Sequence, residues 1–324
     1  MIENHLNCII IVAMKAKQDY RIIYMGTPNM SAEILENLIQ DGFNIVALIA
    51  QEDKPQGRKA ILQKVPTKVV AEKYGIPVYQ PHRIRKEYEF VRDLKPDLIL
   101  TMAYGQIVPQ GLLDIPTHGC LNIHGSILPK YRGAAPIQRA IINGETKTGV
   151  TLMEMVDKMD AGKMYAFEEC TIDPDESYSQ LCKKIVECGN RVIKKNLLNY
   201  LEGKLEGEPQ DESLVTFADK ISKEDEKLDL SKPVKEFINW IRGLSDEPGG
   251  YVFIDNLKFK IFKAHEFSDG TSKPLGTLTV GKKTILQLNN GEIELDEVQL
   301  EGKKRMDAKS FANGSRHLDG VIVK

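Results

Sequence analysis

Apolar and polar positions follow two patterns in turn along the first two thirds of the chain. Short apolar runs, typical of buried strands, are separated by longer stretches in which apolar residues recur at helical spacing. The predicted strands lie at 21–25, 45–50, 76–79, 97–102, 121–124 and 149–155. The predicted helices lie at 31–40, 66–74, 86–94 and 135–143. Because strands that alternate with helices form a mostly parallel sheet covered on both faces, we predict a doubly wound, Rossmann-like α/β domain.

The pattern changes near residue 205. One long helix at 175–204 closes the α/β domain, and residues 205–212 carry the Gly, Glu and Pro of a linker. A helix at 234–242 comes next. The short strands that follow lie at 251–254, 258–262, 277–280, 284–288 and 292–300. Asn289-Asn290-Gly291 predicts a hairpin turn, because Asn and Gly tolerate positive φ. Together these strands predict a small C-terminal β-barrel of the oligonucleotide-binding (OB-like) type.

This organisation divides the chain into four segments. They are an accessory N-terminal tail at 1–19, the α/β domain at 20–204, the linker at 205–212 and the barrel at 213–324. The formal net charge is only −2, so a nucleic-acid partner would have to meet a local basic patch. The apolar run at 8–14 is too short to span a bilayer. Five cysteines without a CxxC spacing argue against disulfides, and we predict a cytoplasmic protein with no membrane association.

Two polar side chains, Asn122 and His124, interrupt the apolar strand at 121–124. Side chains two positions apart in a strand point to the same face, so both are expected to face one site. Burying an amide and an imidazole costs free energy unless each is hydrogen-bonded, so the pair needs partners or a function. The Gly, Pro, Lys and Arg residues at 125–133 are suited to shaping a pocket. The alternative is a polar pair that is simply satisfied at the end of a strand.

A second polar group follows the predicted strand at 149–155. Asp160 has apolar neighbours on both sides, which favours an inward position, whereas Asp157 is expected in the solvated loop or as a turn cap. An aspartate next to a histidine fixes the ring orientation that an acid/base histidine needs. We therefore predict that Asn122 and protonated His124 stabilise the oxyanion of a tetrahedral intermediate, while His124 and Asp160 transfer protons.

No serine or cysteine has a convincing nucleophile position beside these three residues. Ser126 follows His124 too closely to resemble a nucleophile elbow, and Cys120, on the same strand face, is the alternative. Direct transfer between two bound substrates is therefore predicted. The histidines are dispersed and lack HExxH spacing, so we predict no metal site. Gly26-Thr27-Pro28, after the first strand, is not a GxGxxG fingerprint, so no dinucleotide is indicated.

The segment at 52–68 is longer than a usual connection between a strand and a helix. From Lys54 to Lys68 it carries five basic residues and no acidic one, together with Ile61 and Leu62 at positions expected to be exposed. We interpret it as a loop that contacts phosphates and becomes ordered on binding. The alternative is an ordinary solvated face. A second basic cluster, at 303–305, lies near the end of the barrel.

The sequence resembles the folate-dependent formyltransferase family over most of its length, about residues 20–315. The most specific match is Asn-Ile-His-Gly-Ser-Ile-Leu-Pro-Lys-Tyr-Arg-Gly-Ala-Ala-Pro at 122–136. Further matches lie at 25–28, 148–162, 214–224 and 299–306. The resemblance implies that 10-formyltetrahydrofolate donates a formyl group. It also implies that the α-amino group of methionyl initiator tRNA accepts this group, in support of translation initiation.

The resemblance also implies the roles of individual residues. In this family the residues that match Asn122, His124 and Asp160 are catalytic. The residues implied to contact the folate are Met102, Ala103, Tyr104, Gly105, Ile107, Ser126, Leu128, Pro129 and Asp157. The basic loop and the barrel are expected to bind the tRNA. The residues assigned to that contact are Arg58, Lys59, Lys64, Lys220, Lys223, Lys303 and Lys304.

Two departures from the family pattern change the expectations. Residues 245–248 read Ser-Asp-Glu-Pro where relatives usually have Asn-Pro-Trp-Pro, which affects packing before the barrel and not the catalytic step. Residues 60–63 lack basic residues that relatives often carry, so fewer tRNA contacts are expected. The rival functions are a formyltransferase acting on an amino-sugar nucleotide and a non-catalytic folate- or RNA-binding protein. We expect the protein to be a monomer.

Overall fold

The structure, a computed structural model, describes residues 16–56 and 61–324. The chain divides into two compact units. The first comprises residues up to 120 together with 194–206, and the second comprises 121–193 and 207–324. The predicted accessory tail at 1–19 lies mostly outside the described residues, and its last three residues, Lys17–Asp19, form a 3₁₀ turn.

The first unit contains a parallel sheet. Its elements are β1 (Arg21–Gly26), α1 (Asn29–Gln40), β2 (Asn44–Ile49), β3 (Lys54–Gln56), β4 (Ile61–Gln63), α2 (Pro66–Lys73), β5 (Val78–Tyr79), α3 (Phe90–Leu94), β6 (Leu98–Met102) and α4 (Gln110–Leu113). Strands β5, β2, β1 and β6 pair in that order, and every pair is parallel. The side chains of β1 from Ile22 to Met25 are fully buried. Burial on both faces is what a central strand of a parallel sheet requires.

The order of these strands creates a switch point in the sheet. From β1 the chain proceeds through β2 to β5 on one side, and it then returns to β6 on the other side of β1. In doubly wound sheets the carboxyl ends of the strands at such a point open a crevice for ligands. The loops at 27–28 and 103–107 leave from these two ends. The predicted doubly wound, Rossmann-like class is thus confirmed.

Three antiparallel strands follow along the chain. The next elements are β7 (Cys120–His124), α5 (Pro136–Ile142), β8 (Lys147–Glu154), β9 (Met164–Thr171) and α6 (Tyr178–Leu201). Strand β8 pairs antiparallel with both β7 and β9. The sequence pattern does not predict β9, because its residues alternate between exposed and half-buried and form no apolar run.

The rest of the second unit is a curled antiparallel sheet with two helices. Its elements are α7 (Val234–Leu244), β10 (Gly250–Ile254), β11 (Leu257–Ser268), β12 (Leu278–Val280), β13 (Thr284–Leu288), β14 (Gly291–Leu300), β15 (Met306–Asp307) and α8 (Ala308–Gly314). The strands pair in the order β10-β11-β14-β13-β12, and β15 pairs with β14. Phe237 of α7, Phe259 of β11 and Phe311 of α8 share one buried apolar core.

This sheet confirms the predicted barrel-like C-terminal class, and the predicted hairpin turn joins β13 to β14. Strand β11 runs well beyond the predicted 258–262. The sequence does not predict this extension, because the second half of the strand is largely exposed and lacks an apolar run. In the described part of the chain, no helix combines the length and the apolar character needed to cross a membrane.

Candidate active site

Strand β7 presents Asn122 and His124 on one face. On β8 they lie opposite Met153 and Thr151, respectively. His124 is buried and Asn122 is half-buried. Among residues 16–56 and 61–324, the side-chain amide of Asn122 has no hydrogen-bond partner, so its N–H groups are free to donate to a ligand.

Both ring nitrogens of His124 face oxygen atoms. Nε2 lies 2.9 Å from the carbonyl oxygen of Tyr131, and Nδ1 lies 3.7 Å from Oδ2 of Asp160. Because a carbonyl can only accept, Nε2 must carry a hydrogen and donate it. The ring then turns its other nitrogen to the carboxylate. Both side chains are largely shielded from solvent, with exposures of 5% for His124 and 15% for Asp160.

Asp160 is held in an unusual conformation. Its φ is +48°, in the left-handed region that residues other than glycine rarely adopt. Its Oδ2 accepts a hydrogen bond of 2.8 Å from the backbone N–H of Gly133. The same oxygen faces His124, so the backbone of the 125–136 segment helps to fix the geometry of the histidine–aspartate pair.

The segment after β7 is fastened to β8 through Thr151. The Thr151 hydroxyl donates to the carbonyl of Ser126 at 2.8 Å and accepts the backbone N–H of Leu128 at 3.1 Å. The hydroxyl of Ser126 donates to the carbonyl of Lys130 at 2.7 Å. The Ser126 hydroxyl therefore shapes the loop, because its hydrogen is directed at a carbonyl and not at a base. Leu128 is buried, and the peptide bond to half-buried Pro129 is cis.

Cys120 does not have the properties of a nucleophile. Burial raises the pKa of its thiol to about 12, so the reactive thiolate is scarce at neutral pH. Its sulfur lies 3.7 Å from the carbonyl oxygen of Leu113, to which the thiol donates. None of the four cysteines in the described chain forms a disulfide, and no cluster of His, Cys, Asp or Glu there could hold a metal ion.

The predicted folate segment leaves the carboxyl end of β6 in a strained conformation. Ala103 has a φ of +50° and Gly105 a φ of +90°. The carbonyl of Tyr104 accepts the Thr27 hydroxyl and the side-chain amide of Gln51, each at 3.1 Å. This loop is thereby tied to the one that follows β1. Met102 and Tyr104 are buried and Ile107 is exposed, while Asp157, in the second unit, is an exposed loop residue.

The basic loop contains a small hairpin. Strands β3 and β4 pair antiparallel, with Pro55 opposite Leu62, where the sequence predicts an unstructured loop. Ile61 and Leu62 are exposed as expected. Lys64 is paired with Glu72 at 2.6 Å, and Lys68 with Asp53 at 2.6 Å. The predicted tRNA contacts Arg58 and Lys59 lie outside the described residues.

The basic residues assigned to the C-terminal region are exposed. They are Lys220, Lys223, Lys303 and Lys304. Within the described chain none of these four forms a salt bridge. Their neighbour Arg305 differs, because it is paired with Asp246 at 2.7 Å and with Glu297 at 2.6 Å. The four lysines are therefore free to meet phosphates, whereas Arg305 is neutralised within the protein.

Comparison with known proteins identifies the family. The family described as "Formyl transferase" matches residues 20–197, and "Formyl transferase, C-terminal domain" matches residues 220–316. Methionyl-tRNA formyltransferase from Lactobacillus acidophilus is 41% identical over 297 residues, covering 90% of this chain and 95% of that protein. The chain belongs to the methionyl-tRNA formyltransferase family. The predicted resemblance and the predicted enzyme class are confirmed.

Solved structures share the fold at lower identity. HypX from Aquifex aeolicus in complex with tetrahydrofolic acid matches with a TM-score of 0.66 and 17% identity, over 93% of this chain and 48% of that chain. An N-formyltransferase from Helicobacter canadensis, in complex with folinic acid and dTDP-3-aminofucose, matches with a TM-score of 0.64 and 19% identity, over 85% and 98%. At these identities the similarity shows the fold of a formyltransferase and nothing finer.

Sequence reasoning misses several residues that hold this site together. Gly133 and Arg132 belong to the matched motif at 122–136, so a signal for them was present in the sequence. Thr151 lies opposite His124 only because β8 pairs with β7 in this register. Gln210 contacts Asp160 from 50 positions away, and no local pattern marks it.

Proposed function

We propose that this formyltransferase moves the formyl group of 10-formyltetrahydrofolate to the α-amino group of methionyl initiator tRNA by direct attack, in support of translation initiation. The observation that carries the proposal is the shielded pair of His124 and Asp160, 3.7 Å apart, together with Asn122 on the strand face of His124. Among the described residues the amide of Asn122 has no hydrogen-bond partner. These groups can donate hydrogen bonds to the oxygen of the formyl group and transfer protons. The proposed reaction needs no covalent nucleophile.

Each of the three catalytic candidates has a distinct role. Asn122 and the Nδ1–H of protonated His124 donate to the formyl oxygen as negative charge develops on it, since the Nε2–H of His124 is already donated to the Tyr131 carbonyl. A C–N bond forms between the formyl carbon and the amine of the acceptor, and the bond between that carbon and the folate nitrogen breaks. The pair of Asp160 and His124 transfers the protons: Asp160 receives the proton that the amine loses, and protonated His124 gives a proton to the departing nitrogen.

We assign folate binding to the residues that the family resemblance implies. They are Met102, Ala103, Tyr104, Gly105, Ile107, Ser126, Leu128, Pro129 and Asp157. The loop after β6 supports the assignment, since it leaves the switch point of a doubly wound sheet, where such folds bind ligands. When bound, the folate supplies the formyl group as an activated amide.

We assign residues 20–204 to catalysis, 205–212 to a linker and 213–324 to tRNA binding, with an accessory tail at 1–19. The exposed, unpaired lysines Lys220, Lys223, Lys303 and Lys304 support a tRNA-binding C-terminal domain, because free cations replace the counterions of a phosphate backbone. Arg58, Lys59 and Lys64 of the basic loop complete the proposed contact. We further propose that the protein acts as a cytoplasmic monomer.

A formylation assay with competing acceptors tests the function. Purified protein is given 10-formyltetrahydrofolate with methionyl initiator tRNA, with methionyl elongator tRNA or with a dTDP-linked amino sugar. We expect rapid formylation of the initiator tRNA and little of the other two. Preference for the amino sugar would replace the proposed acceptor. No turnover with any acceptor in a folded sample would remove the catalytic proposal.

A further inference from the structure

The side chain of Gln210 bridges two segments beside the candidate active site. Its amide nitrogen donates to the carbonyl oxygens of Asp160 and Gly162, each at 2.8 Å. Its amide oxygen accepts the Nε–H of Arg132 at 2.9 Å. Because carbonyls only accept and an arginine nitrogen only donates, these three partners determine the orientation of the amide. Both amide hydrogens of Gln210 and its amide oxygen are thus used in this one bridge.

Arg132 gives the bridge a fixed base. Its side chain is buried, with 1% exposure, and its Nη2 donates to Glu212 at 2.8 Å. Its backbone N–H donates to the carbonyl of Thr216 at 2.9 Å, and its carbonyl accepts the N–H of Ala218 at 2.7 Å. A long charged side chain held in this way has lost its rotational freedom. Arg132 therefore links Gln210 to the backbone at 216–218.

Asp160 is therefore held at two places by neighbouring residues of one segment. Arg132 acts on its carbonyl group through Gln210, and Gly133 donates its backbone N–H to the carboxylate at 2.8 Å. These contacts stabilise a left-handed conformation that an aspartate disfavours. If the carbonyl of Asp160 were released, the backbone could relax and turn the carboxylate away from His124.

We propose that Gln210 and Arg132 are positioning residues for formyl transfer. They fix the backbone of Asp160 and, through it, the carboxylate that faces His124. This inference rests on the proposed roles of His124 and Asp160. It gives residues 205–212, predicted as a linker, a part in the catalytic site, because the polar groups of Gln210 are directed at the backbone of a candidate catalytic residue.

Two substitutions at Gln210 separate the halves of the bridge. Gln210→Met keeps the length of the side chain and removes all three hydrogen bonds. Gln210→Glu keeps an acceptor for Arg132 but sets a carboxylate oxygen against two carbonyls. We expect each to lower kcat by about 10- to 100-fold, because a small displacement of a catalytic group has an effect of this size. The KM for 10-formyltetrahydrofolate should change by less than about threefold.

The matched control is Gln40→Met, which alters an exposed glutamine at the end of α1 and should leave kcat unchanged. If Gln210→Met does not fold, Gln210→Glu, which preserves the shape of the side chain, still tests the bridge. A kcat in either folded variant equal to that of the wild type would overturn the proposal.

A double-mutant cycle shows whether Gln210 acts through Asp160. In an Asp160→Ala background the carboxylate is gone, so adding Gln210→Met should lower kcat by less than about twofold. A purely structural contribution would instead multiply with that of Asp160→Ala. Full multiplication of the two effects would therefore contradict a positioning role.

Hydrogen exchange at the backbone amide of Gly133 tests the bridge without any turnover. This amide donates to the carboxylate of Asp160, so releasing Asp160 should make its exchange at least about tenfold faster in Gln210→Met. Exchange as slow as in the wild type would overturn the proposal. A wild-type protein without turnover would overturn the proposed function, whereas faster exchange in Gln210→Met would still support the hold on Asp160.

Discussion

His124 has an oxygen facing each ring nitrogen, and this arrangement sets what the side chain can do. The Tyr131 carbonyl at 2.9 Å fixes a hydrogen on Nε2, and the Asp160 carboxylate lies at 3.7 Å from Nδ1. The pair is shielded from water. Inside the protein the effective dielectric constant is low, so electrostatic interactions are stronger than at the surface. A histidine placed in this way can donate hydrogen bonds and exchange a proton without moving.

Replacing His124 should remove the chemistry and leave the binding sites in place. We expect His124→Ala to lower kcat by about 10²- to 10⁴-fold, the range attributed to a general acid or base, with folate affinity largely retained. Steady-state kinetics and a folate-binding titration measure the two effects. As a control, His265→Ala alters an exposed histidine of β11 and should behave like the wild type. A normal kcat in His124→Ala would exclude His124 from the mechanism.

Glu212 predicts a pH dependence of stability. Hydrogen bonds from Arg132 and Lys158 lower the pKa of its carboxyl group to about 2, from an ordinary 4.5. A carboxylate whose pKa is lowered by folding stabilises the protein above pH 4.5, and this stabilisation is lost as the pH falls through about 2. In urea unfolding, Glu212→Gln should have a lower free energy of unfolding than the wild type at neutral pH. The two free energies should converge in acid.

The control for this comparison is Glu206→Gln, since Glu206 is exposed and has no ion pair among the described residues. It should match the wild type at every pH. A difference between wild type and Glu212→Gln that stayed constant down to pH 2 would show that Glu212 contributes through packing and not through its charge.

At the scale of elements, the connection between β7 and α5 depends on close backbone contact. Gly133 has a φ of +126°, and a Cβ there would lie 2.7 Å from the carbonyl oxygen of Ala218. Residues 216–218 run beside this connection and bond with the backbone of Arg132 on both sides. The segment that carries the most specific motif is thus shaped by a second segment about 85 residues further along the chain.

Gly133→Ala should disturb both the fold and the reaction. A side chain at this φ is strained, and the contact with Ala218 forces the backbone apart, so we expect a loss of about 2 kcal/mol in unfolding free energy. The Gly133 amide should also lose its alignment with Asp160 and lower kcat. Gly320→Ala is the control, because Gly320 also has a positive φ, of +81°, but has open space around it. Equal stability losses in the two variants would refute the contact argument.

At the scale of the whole molecule, charge is arranged locally and not globally. The net charge is −2, so attraction to tRNA must come from patches. Among the described basic residues, Lys303 and Lys304 are exposed and unpaired, whereas Lys64 is already paired with Glu72. Unpaired cations contribute to phosphate binding without first breaking an ion pair.

Charge removal should therefore weaken tRNA binding selectively. We expect a Lys303→Ala and Lys304→Ala double variant, and separately Arg58→Ala, to raise the KM for tRNA. Each lost phosphate contact should reduce the slope of log KM against log salt by about 1. The control is Lys73→Ala, since Lys73 is paired with Glu36 at 2.6 Å. An unchanged KM and an unchanged salt slope would show that these residues belong to an ordinary solvated surface.

The sequence pattern predicts those parts of the fold in which one face or both faces are buried. Strands β1 and β6 have apolar runs, β14 alternates apolar and polar side chains, and the Asn-Gly turn before β14 follows from backbone sterics. Strand β9 and the second half of β11 escape prediction, because half-exposed strands carry mixed side chains that resemble loops. The hairpin of β3 and β4 escapes for the same reason.

The sequence by itself determined the fold class, the family and the shared face of Asn122 and His124, since a strand places alternate side chains on one side. Only the tertiary structure decided that Asp160 lies at 3.7 Å from His124 and that Gln210 and Arg132 hold it there. Such contacts join segments that are far apart along the chain. Local periodicity carries no information on the packing that brings them together.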